Sequence, residues 1–147
     1  MPTLERHPVL NELMCFDLYA ASRSMTNLYR PLLGQLGLTY PQYLVLVVLW
    51  DGDHRTVKDL GEVLRLDHGT LTPLLRRMEL HGLVTRRRSS NDERFVEVDL
   101  TTEGRALRDR ADEVHCSVRD ALGLDDEQVE MLQSALRRLS RHIVPEA

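Results

Sequence analysis

Apolar residues recur at helical spacing over most of the chain. Between residues 8 and 33 they fall at Leu10, Leu13, Met14, Leu18, Ala21, Met25, Leu28 and Leu32, one face of a 3.6-residue period. Pro8 suits the first turn of this predicted helix, where its missing donor costs nothing. Pro31 is expected to end or kink it, because an interior proline removes a donor and clashes with the preceding turn. Gly34 and Gly37 mark a loop. Thr39-Tyr40-Pro41 then starts a second helix, running through Leu44, Val47, Val48 and Leu49 to Trp50. It is apolar nearly all round and is expected at the buried centre of the domain. Asp51-Gly52-Asp53-His54 reads as a turn.

A short helix follows over Thr56–Leu64, with Leu60, Val63 and Leu64 on one face. Leu66-Asp67-His68-Gly69 reads as a tight turn. Thr70–Leu80 is the next helix, closed by His81-Gly82 with glycine as the left-handed stop. Two short helices around a glycine-containing turn are a helix-turn-helix pattern. The period then changes from 3.6 to 2. Leu83-Val84-Thr85-Arg86 and Phe95–Leu100 alternate in and out around the polar stretch 87–94, which predicts a β-hairpin. Thr101-Thr102-Glu103-Gly104 caps a helix reaching about Ala121. Leu124-Asp125-Asp126 opens a last one through Val129, Leu132, Leu136, Leu139 and Ile143.

The expected fold is mostly α (α+β): a winged helix-turn-helix over about 39–100, with helical arms over about 8–33 and 102–143. The arms carry more apolar surface than so small a core can use. Pairing with a second copy would bury it, so a homodimer is expected.

Composition narrows this picture. A chain of 147 residues, 42% of them apolar, fits one compact domain spanning 1–147. It has no apolar run of eighteen residues, so no membrane partner is expected. Met1–His7 lacks the basic-then-apolar order of a signal peptide, which points to the cytoplasm. The two cysteines, Cys15 and Cys116, form no C-x-x-C, and the six histidines form no H-x-x-x-H pair. No structural zinc and no cofactor are therefore expected. A net charge of −4 argues by itself against nucleic acid, but its distribution reverses that. Residues 55–94 hold nine basic and six acidic side chains, against ten and seventeen elsewhere. A basic middle between acidic arms suits a DNA-contacting module.

A helix that enters the major groove needs short side chains near its start and basic ones further along. Thr70, Thr72 and Pro73 are expected to face out at the front of such a helix. Leu71, Leu74, Leu75 and Met78 would face in, and Arg76 and Arg77 would reach phosphates. Taken alone, these arginines are as readily a solvated helix face. The hairpin changes the balance. Arg86, Arg87 and Arg88 crowd one strand and Arg94 begins the other, as in a wing that places arginine in the narrow minor groove.

Over nearly its whole length the chain resembles MarR-type regulators, most closely their organic hydroperoxide resistance repressor subgroup. The resemblance is carried by Cys15-Phe16-Asp17-Leu18-Tyr19-Ala20-Ala21-Ser22-Arg23, Leu38-Thr39-Tyr40-Pro41-Gln42-Tyr43, the run from Leu66 to Glu79, and Asp92-Glu93-Arg94. His68 departs from the pattern, which has a small hydroxyl residue there. The resemblance implies a repressor of double-stranded, pseudo-palindromic operator DNA. Its contacts would come from Asp67, His68, Gly69, Thr70, Thr72, Pro73, Arg76 and Arg77 and from the wing residues Arg86, Arg88, Asp92 and Arg94.

It also implies that Cys15 senses organic hydroperoxides. A thiol does so only if part of it is thiolate and it is reachable. On the predicted helix Cys15 lies about two turns from the start, so the dipole helps modestly. Phenol hydroxyls can donate to a thiolate. Tyr19 shares the helix face of Cys15 one turn on. Tyr29 is fourteen residues along, which at ~1.5 Å per residue is about 21 Å, beyond reach within one chain. In the resemblance Tyr29 and Tyr40 of one subunit reach Cys15 of the other, and Met14, Phe16 and nearby leucines supply an apolar pocket. Cys116 would be the resolving thiol that closes an intersubunit disulfide, with a small thiol as the alternative. Two other readings stay open: release by a phenolic or aromatic ligand in the cleft between the arms, and a thiol peroxidase enzyme.

Overall fold

The computed structural model describes residues 7–52 and 54–143. The signal-sequence reading of residues 1–6 and Asp53 of the predicted turn lie outside them. The chain divides into two compact units, Met1–Val114 and His115–Ala147.

The first unit opens with a 3-10 turn at Leu10–Glu12, followed by α1, Met14–Gly34. The predicted start near Pro8 is thus corrected. Leu13 is extended (φ −97°, ψ 97°), and its carbonyl accepts the first helical bond, from Phe16 at 3.0 Å. Apolar spacing runs through this break because Leu10, Leu13 and Met14 keep the period on both sides of it. Pro31 lies inside α1 and does not end it. Its only certain loss is the bond to the carbonyl of Asn27, an exposed residue whose oxygen water can satisfy. Tyr29 and Leu33, both buried, hold the last turns in the core.

Helix α2 (Tyr40–Asp51) is started by a reciprocal cap. The Gln42 amide donates to Thr39 Oγ1 at 3.4 Å, and the Thr39 amide donates to Gln42 Oε1 at 3.1 Å. As expected it is the centre of the unit, with Val45, Leu46 and Leu49 fully buried. β1 (Arg55–Thr56) was not predicted, since two residues show no alternation. It pairs antiparallel with β3 (Val96–Leu100), which also pairs with β2 (Val84–Arg88), giving the order β1-β3-β2. Thr56 caps α3 (Val57–Leu64) through the Asp59 amide.

Helix α4 (His68–Leu80) begins two residues earlier than predicted, because Asp67 rather than Gly69 ends the turn. Asp67 Oδ1 accepts the Thr70 amide at 2.7 Å. Leu71, Leu75 and Met78 of α4, Leu60 of α3, Val84 of β2 and Val98 of β3 are all fully buried, and they join the helix pair to the wing.

The helix predicted from Thr102 to Ala121 is two helices, α5 (Thr102–Ala106) and α6 (Arg108–Ala121). The break has a visible cause. The Gly104 carbonyl, which a continuous helix would offer to the Arg108 amide, instead accepts the Trp50 indole N–H at 2.9 Å. Arg108 Nη1 in turn donates to the Trp50 carbonyl at 3.1 Å.

The second unit begins within α6. A turn with Gly123 in the left-handed region (φ 68°) leads to α7, Asp126–Ile143. Asp125 and Gln128 cap α7 reciprocally, at 2.8 and 3.0 Å. Arg119 Nη2 meets Asp126 Oδ1 at 2.6 Å. No residue of α7 is buried, and Met131, Leu132, Leu136 and Ile143 stand exposed.

Candidate nucleic-acid interface and thiol site

Helix α4 presents two faces. Leu71, Leu74, Leu75 and Met78 face the core as expected, while His68, Gly69, Thr70, Pro73, Arg76 and Arg77 are exposed. Thr72 corrects the sequence reading. It is half-buried rather than outward, and its Oγ1 is buried without a hydrogen-bond partner among the described residues. The Asp67 carboxyl is held below the usual range by the Thr70 hydrogen bond of the cap.

The wing arginines separate into two kinds. Arg86 and Arg87 are held against the sheet. Arg86 Nη2 donates to Glu79 Oε1 at 3.2 Å, and the Arg86 amide donates to Glu79 Oε2 at 3.1 Å. Arg86 is thus half-buried on α4's last turn instead of projecting outward. Arg87 lies 3.4–3.5 Å from Asp99 and Glu97. Those two carboxylates also flank His54, whose Nδ1 is 2.7 Å from Asp99 and Nε2 3.4 Å from Glu97.

Arg88 and Arg94 belong to the tip. Arg88 Nη1 donates to the Glu93 carbonyl at 2.9 Å. Arg94 grips Asp92 through Nε at 3.0 and 3.1 Å and through Nη2 at 2.7 Å. That grip holds the Asp92 carboxyl low and aims a guanidinium that is 84% exposed. Asp92 is therefore a bracket for Arg94, the fixed two-point geometry that arginine and carboxylate favour.

Between α3, the start of α4 and the wing lies a cavity of about 560 Å³. Leu71 and Phe95 line it beside Lys58, His68, Thr72 and Arg86. Arg86 Nε, like Thr72 Oγ1, is buried without a hydrogen-bond partner among the described residues.

The thiol region is built differently from the sequence expectation. Cys15 is the second residue of α1, not two turns along, and it is exposed. It therefore sits at the helix end whose dipole favours an anion. Met14, Phe16 and Leu18 around it are exposed apolar side chains. Tyr19, also exposed, lies under the Arg23 guanidinium at 5.4 Å. Cys15 and Tyr29 share one unbroken helix, so the rise of ~1.5 Å per residue keeps them about 21 Å apart.

Tyr29 packs with Tyr40 and Tyr43, at ring-centroid distances of 5.0 and 5.6 Å, and Tyr40 and Tyr43 are 6.2 Å apart. Burial, with the other phenols nearby, pushes the Tyr29 hydroxyl up to about 12. Burial raises Tyr40 and Tyr43 as well. All three stay neutral donors at physiological pH. Tyr43 was not among the candidates, although its position one turn after Tyr40 on α2 could have pointed to it. Cys116 is exposed on α6, in the second unit.

Among the described residues, no group of three His, Cys, Asp or Glu side chains could hold a metal ion, and no helix is long and apolar enough to cross a membrane.

The family described as "Transcriptional regulator SarA/Rot" matches residues 27–111. The organic hydroperoxide resistance transcriptional regulator of Bacillus subtilis is 47% identical over 90% of each chain. The chain belongs to the MarR-type transcriptional regulators, in the organic hydroperoxide resistance group. Two solved structures share the fold of this regulator. Reduced AbfR bound to DNA aligns with a TM-score of 0.77 at 32% identity, over 92% of this chain and 94% of that one. A Cys-to-Ser mutant of Escherichia coli MarR with operator DNA aligns at 0.76 and 26% identity, over 90% and 99%. The regulator is a DNA-binding winged-helix protein, and its relatives control transcription rather than catalyse a reaction.

Proposed function

We propose that this regulator is a cytoplasmic, homodimeric repressor that releases its operator when an organic hydroperoxide oxidises Cys15. The exposed face of α4, from His68 to Arg77, would lie in successive major grooves about one helical turn apart, and Arg88 and Arg94 would reach the flanking minor grooves. The relatives solved as "reduced", "overoxidized" and "disulfide formed" AbfR support a redox reading at the level of the family.

One observation carries the proposal. An exposed cysteine sits in the first turn of α1 among exposed apolar side chains, while the buried phenols lie two-thirds of the helix away on the same chain. A second copy crossing α1 would bring phenols to the sulfur and cover Met14, Phe16 and Leu18. The exposed row on α7 would be covered in the same assembly.

The chemistry then balances simply. The Cys15 thiolate attacks the distal peroxide oxygen, the O–O bond breaks, and an alcohol leaves after taking up a proton. The resulting sulfenic acid condenses with the partner's Cys116 or a small thiol, forming a disulfide and water. In operator shift assays Cys15→Ser is expected to bind like wild type and to ignore cumene hydroperoxide. Peroxide release from Cys15→Ser would overturn the sensing role. On non-reducing gels, a dimer band that depends on both Cys15 and Cys116 is expected.

A second reading has its own observation. The cavity beside α4 sets the basic side chains of Lys58, Arg86 and Arg94 around Leu71, Phe95 and Val96, which suits an aromatic acid. Release of the Cys15→Ser protein by salicylate, with no response to peroxide in wild type, would favour it.

A further inference from the structure

We propose that Arg87 is a phosphate contact of the wing, held in reserve by Glu97 and Asp99 and handed to DNA when the His54 imidazole takes up a proton and claims those two carboxylates. This rests on the wing half of the operator contact proposed above and is independent of the peroxide-sensing role of Cys15.

The register of the sheet builds the cluster. Arg87 stands opposite Glu97 and Arg55 opposite Val98, so residue 54, one step before the short strand, comes beside Asp99. Side chains alternate across a strand. Glu97 and Asp99 therefore share the face turned away from Val98, which is fully buried. Two cationic side chains meet them there. The same Glu97 Oε2 draws His54 Nε2, at 3.4 Å, and Arg87 Nε, at 3.5 Å. Asp99 holds His54 Nδ1 at 2.7 Å through one oxygen and Arg87 Nε at 3.4 Å through the other. The histidine is the closer of the two on both carboxylates. Arg87 stays beyond the roughly 2.7–2.9 Å of a charge-assisted hydrogen bond. Its side chain is 63% exposed, against 12% and 23% for the carboxylates. It is loosely held and free to swing. Among the described residues, the charged groups that face His54 are Glu97 and Asp99 from β3 and Arg87 from β2. Arg55, beside it in β1, is turned to the Gly52 carbonyl at 3.0 Å instead.

Charge decides what a proton does here. With His54 neutral, the two carboxylates face one guanidinium, and moving Arg87 to DNA strips them of it. With His54 protonated, a histidinium stays on both carboxylates when Arg87 leaves. One strand residue, about 3.3 Å, separates Arg87 from Arg88 at the tip, so a duplex met by Arg88 lies within reach of its side chain. The Asp99 hydrogen bond and the Glu97 and Asp99 charges already raise the His54 pKa above 6.5, while the Arg87 charge opposes them. Withdrawing Arg87 raises it further. DNA binding then takes up a proton, and by linkage affinity rises as pH falls from the pKa of the complex to that of the free protein.

The test measures affinity by fluorescence anisotropy, in reductant, for an operator duplex and a scrambled duplex of equal length, between about pH 6 and pH 8.5. Wild type is expected to gain about two- to fivefold more affinity toward acid than His54→Gln, the worth of an exposed charge pair. The gain should appear on both duplexes, because phosphate contacts carry no sequence information. In an Arg87→Gln background His54→Gln should change nothing further. Arg87→Gln should also lower the slope of log affinity against log salt by about 0.9 per wing at the acid end.

A His54-dependent gain that survives Arg87→Gln overturns the hand-over, since the histidinium would then act on DNA directly. A gain confined to the operator overturns the phosphate assignment. Arg94→Gln separates this proposal from the reading it rests on. If Arg94→Gln lowers the salt slope and Arg87→Gln does not, Arg87 fails while the wing contact stands; if neither does, the wing contact itself fails. Melting temperatures at each pH identify any loss of fold. The wild-type His54 ring resonances give a readout free of substitutions: their titration should move to higher pH when DNA is added, and an unmoved titration overturns the proposal.

Discussion

Gly104→Ala tests the joint between the wing and the rest of the first unit. A Cβ at Gly104 would collide with the backbone carbonyl of Leu83 and press Leu100 Cδ2 at 3.2 Å. The carbonyl cannot easily retreat, because it accepts the Thr101 amide at 3.1 Å. The Gly104 carbonyl in turn holds the Trp50 indole at 2.9 Å. Overpacking that moves backbone costs about 1–3 kcal/mol, and each of the two hydrogen bonds put at risk is worth about 1 kcal/mol. Alanine's better helix propensity returns about 1 kcal/mol. The expected net loss is therefore about 3 kcal/mol. For a chain of this size, at about 2–4 °C per kcal/mol, that lowers the melting temperature by about 6–12 °C. Trp50 is the single tryptophan, so its emission reports the joint directly and should shift to the red as the indole N–H is released. Operator affinity should fall with it, because Leu83 leads into the wing strand. A Gly104→Ala protein that melts within about 2 °C of wild type, with unchanged Trp50 emission, would refute the claim that this approach is rigid.

Glu79→Gln should loosen the wing from α4 while keeping the shape of the side chain. Both partners are partly exposed, so we expect a loss of only about 1 kcal/mol, read by denaturant unfolding. The Arg86 hydrogen bond is the main reason the Glu79 carboxyl is held low. Its stabilisation is therefore present above the pKa of an unfolded glutamate and fades as pH falls through the lower folded value, so Glu79→Gln should flatten the acid limb of stability against pH. His54 has the opposite sign. The Asp99 hydrogen bond, followed by the Glu97 and Asp99 charges, raises its pKa above 6.5. Its contribution is complete below 6.5 and is lost as pH rises through the raised folded value. His54→Gln should remove that slope, and the ring resonances of His54 should titrate above those of an exposed histidine.

The order of elements was legible because each one carries a local signal. The period of 3.6 around Leu60 and Leu71, the period of 2 around Val96 and Val98, and the caps at Thr39, Thr56 and Thr101 all act within a few residues. What was not legible depends on partners distant in the chain. Trp50 lies 54 residues from the Gly104 carbonyl that it draws out of the helix, so the break at Leu107 leaves no trace in the local pattern. β1 exists only because Val98 and Glu97 pair with it. The arginines make the same point at the candidate site. Four of them crowd the hairpin and look equivalent in sequence, yet Glu79 holds Arg86 half-buried, the β3 carboxylates pair with an exposed Arg87, and Asp92 braces the far more exposed Arg94 at the tip. The thiol was placed on the right helix but in the wrong turn, because Leu13 satisfies the helical period while its backbone is extended.

That placement matters for how a change at sulfur could be felt elsewhere. The first turns of α1 are exposed, and its far end is fixed at Tyr29 and Leu33. A new charge or bond at Cys15 therefore acts on the end of a stiff rod whose other end is set in the phenol cluster. Tyr40 and Tyr43 belong to α2, and α2 packs directly on both α3 and α4. Close-packed interiors pass strain on because they have no free volume to absorb it. A movement of the Tyr29 end would press on Tyr40 and Tyr43 of α2, and α2 packs on α4. Under the proposed sensing role, α2 is the element between the phenols and α4 through which a thiol event at residue 15 would reach Thr70 and Arg76.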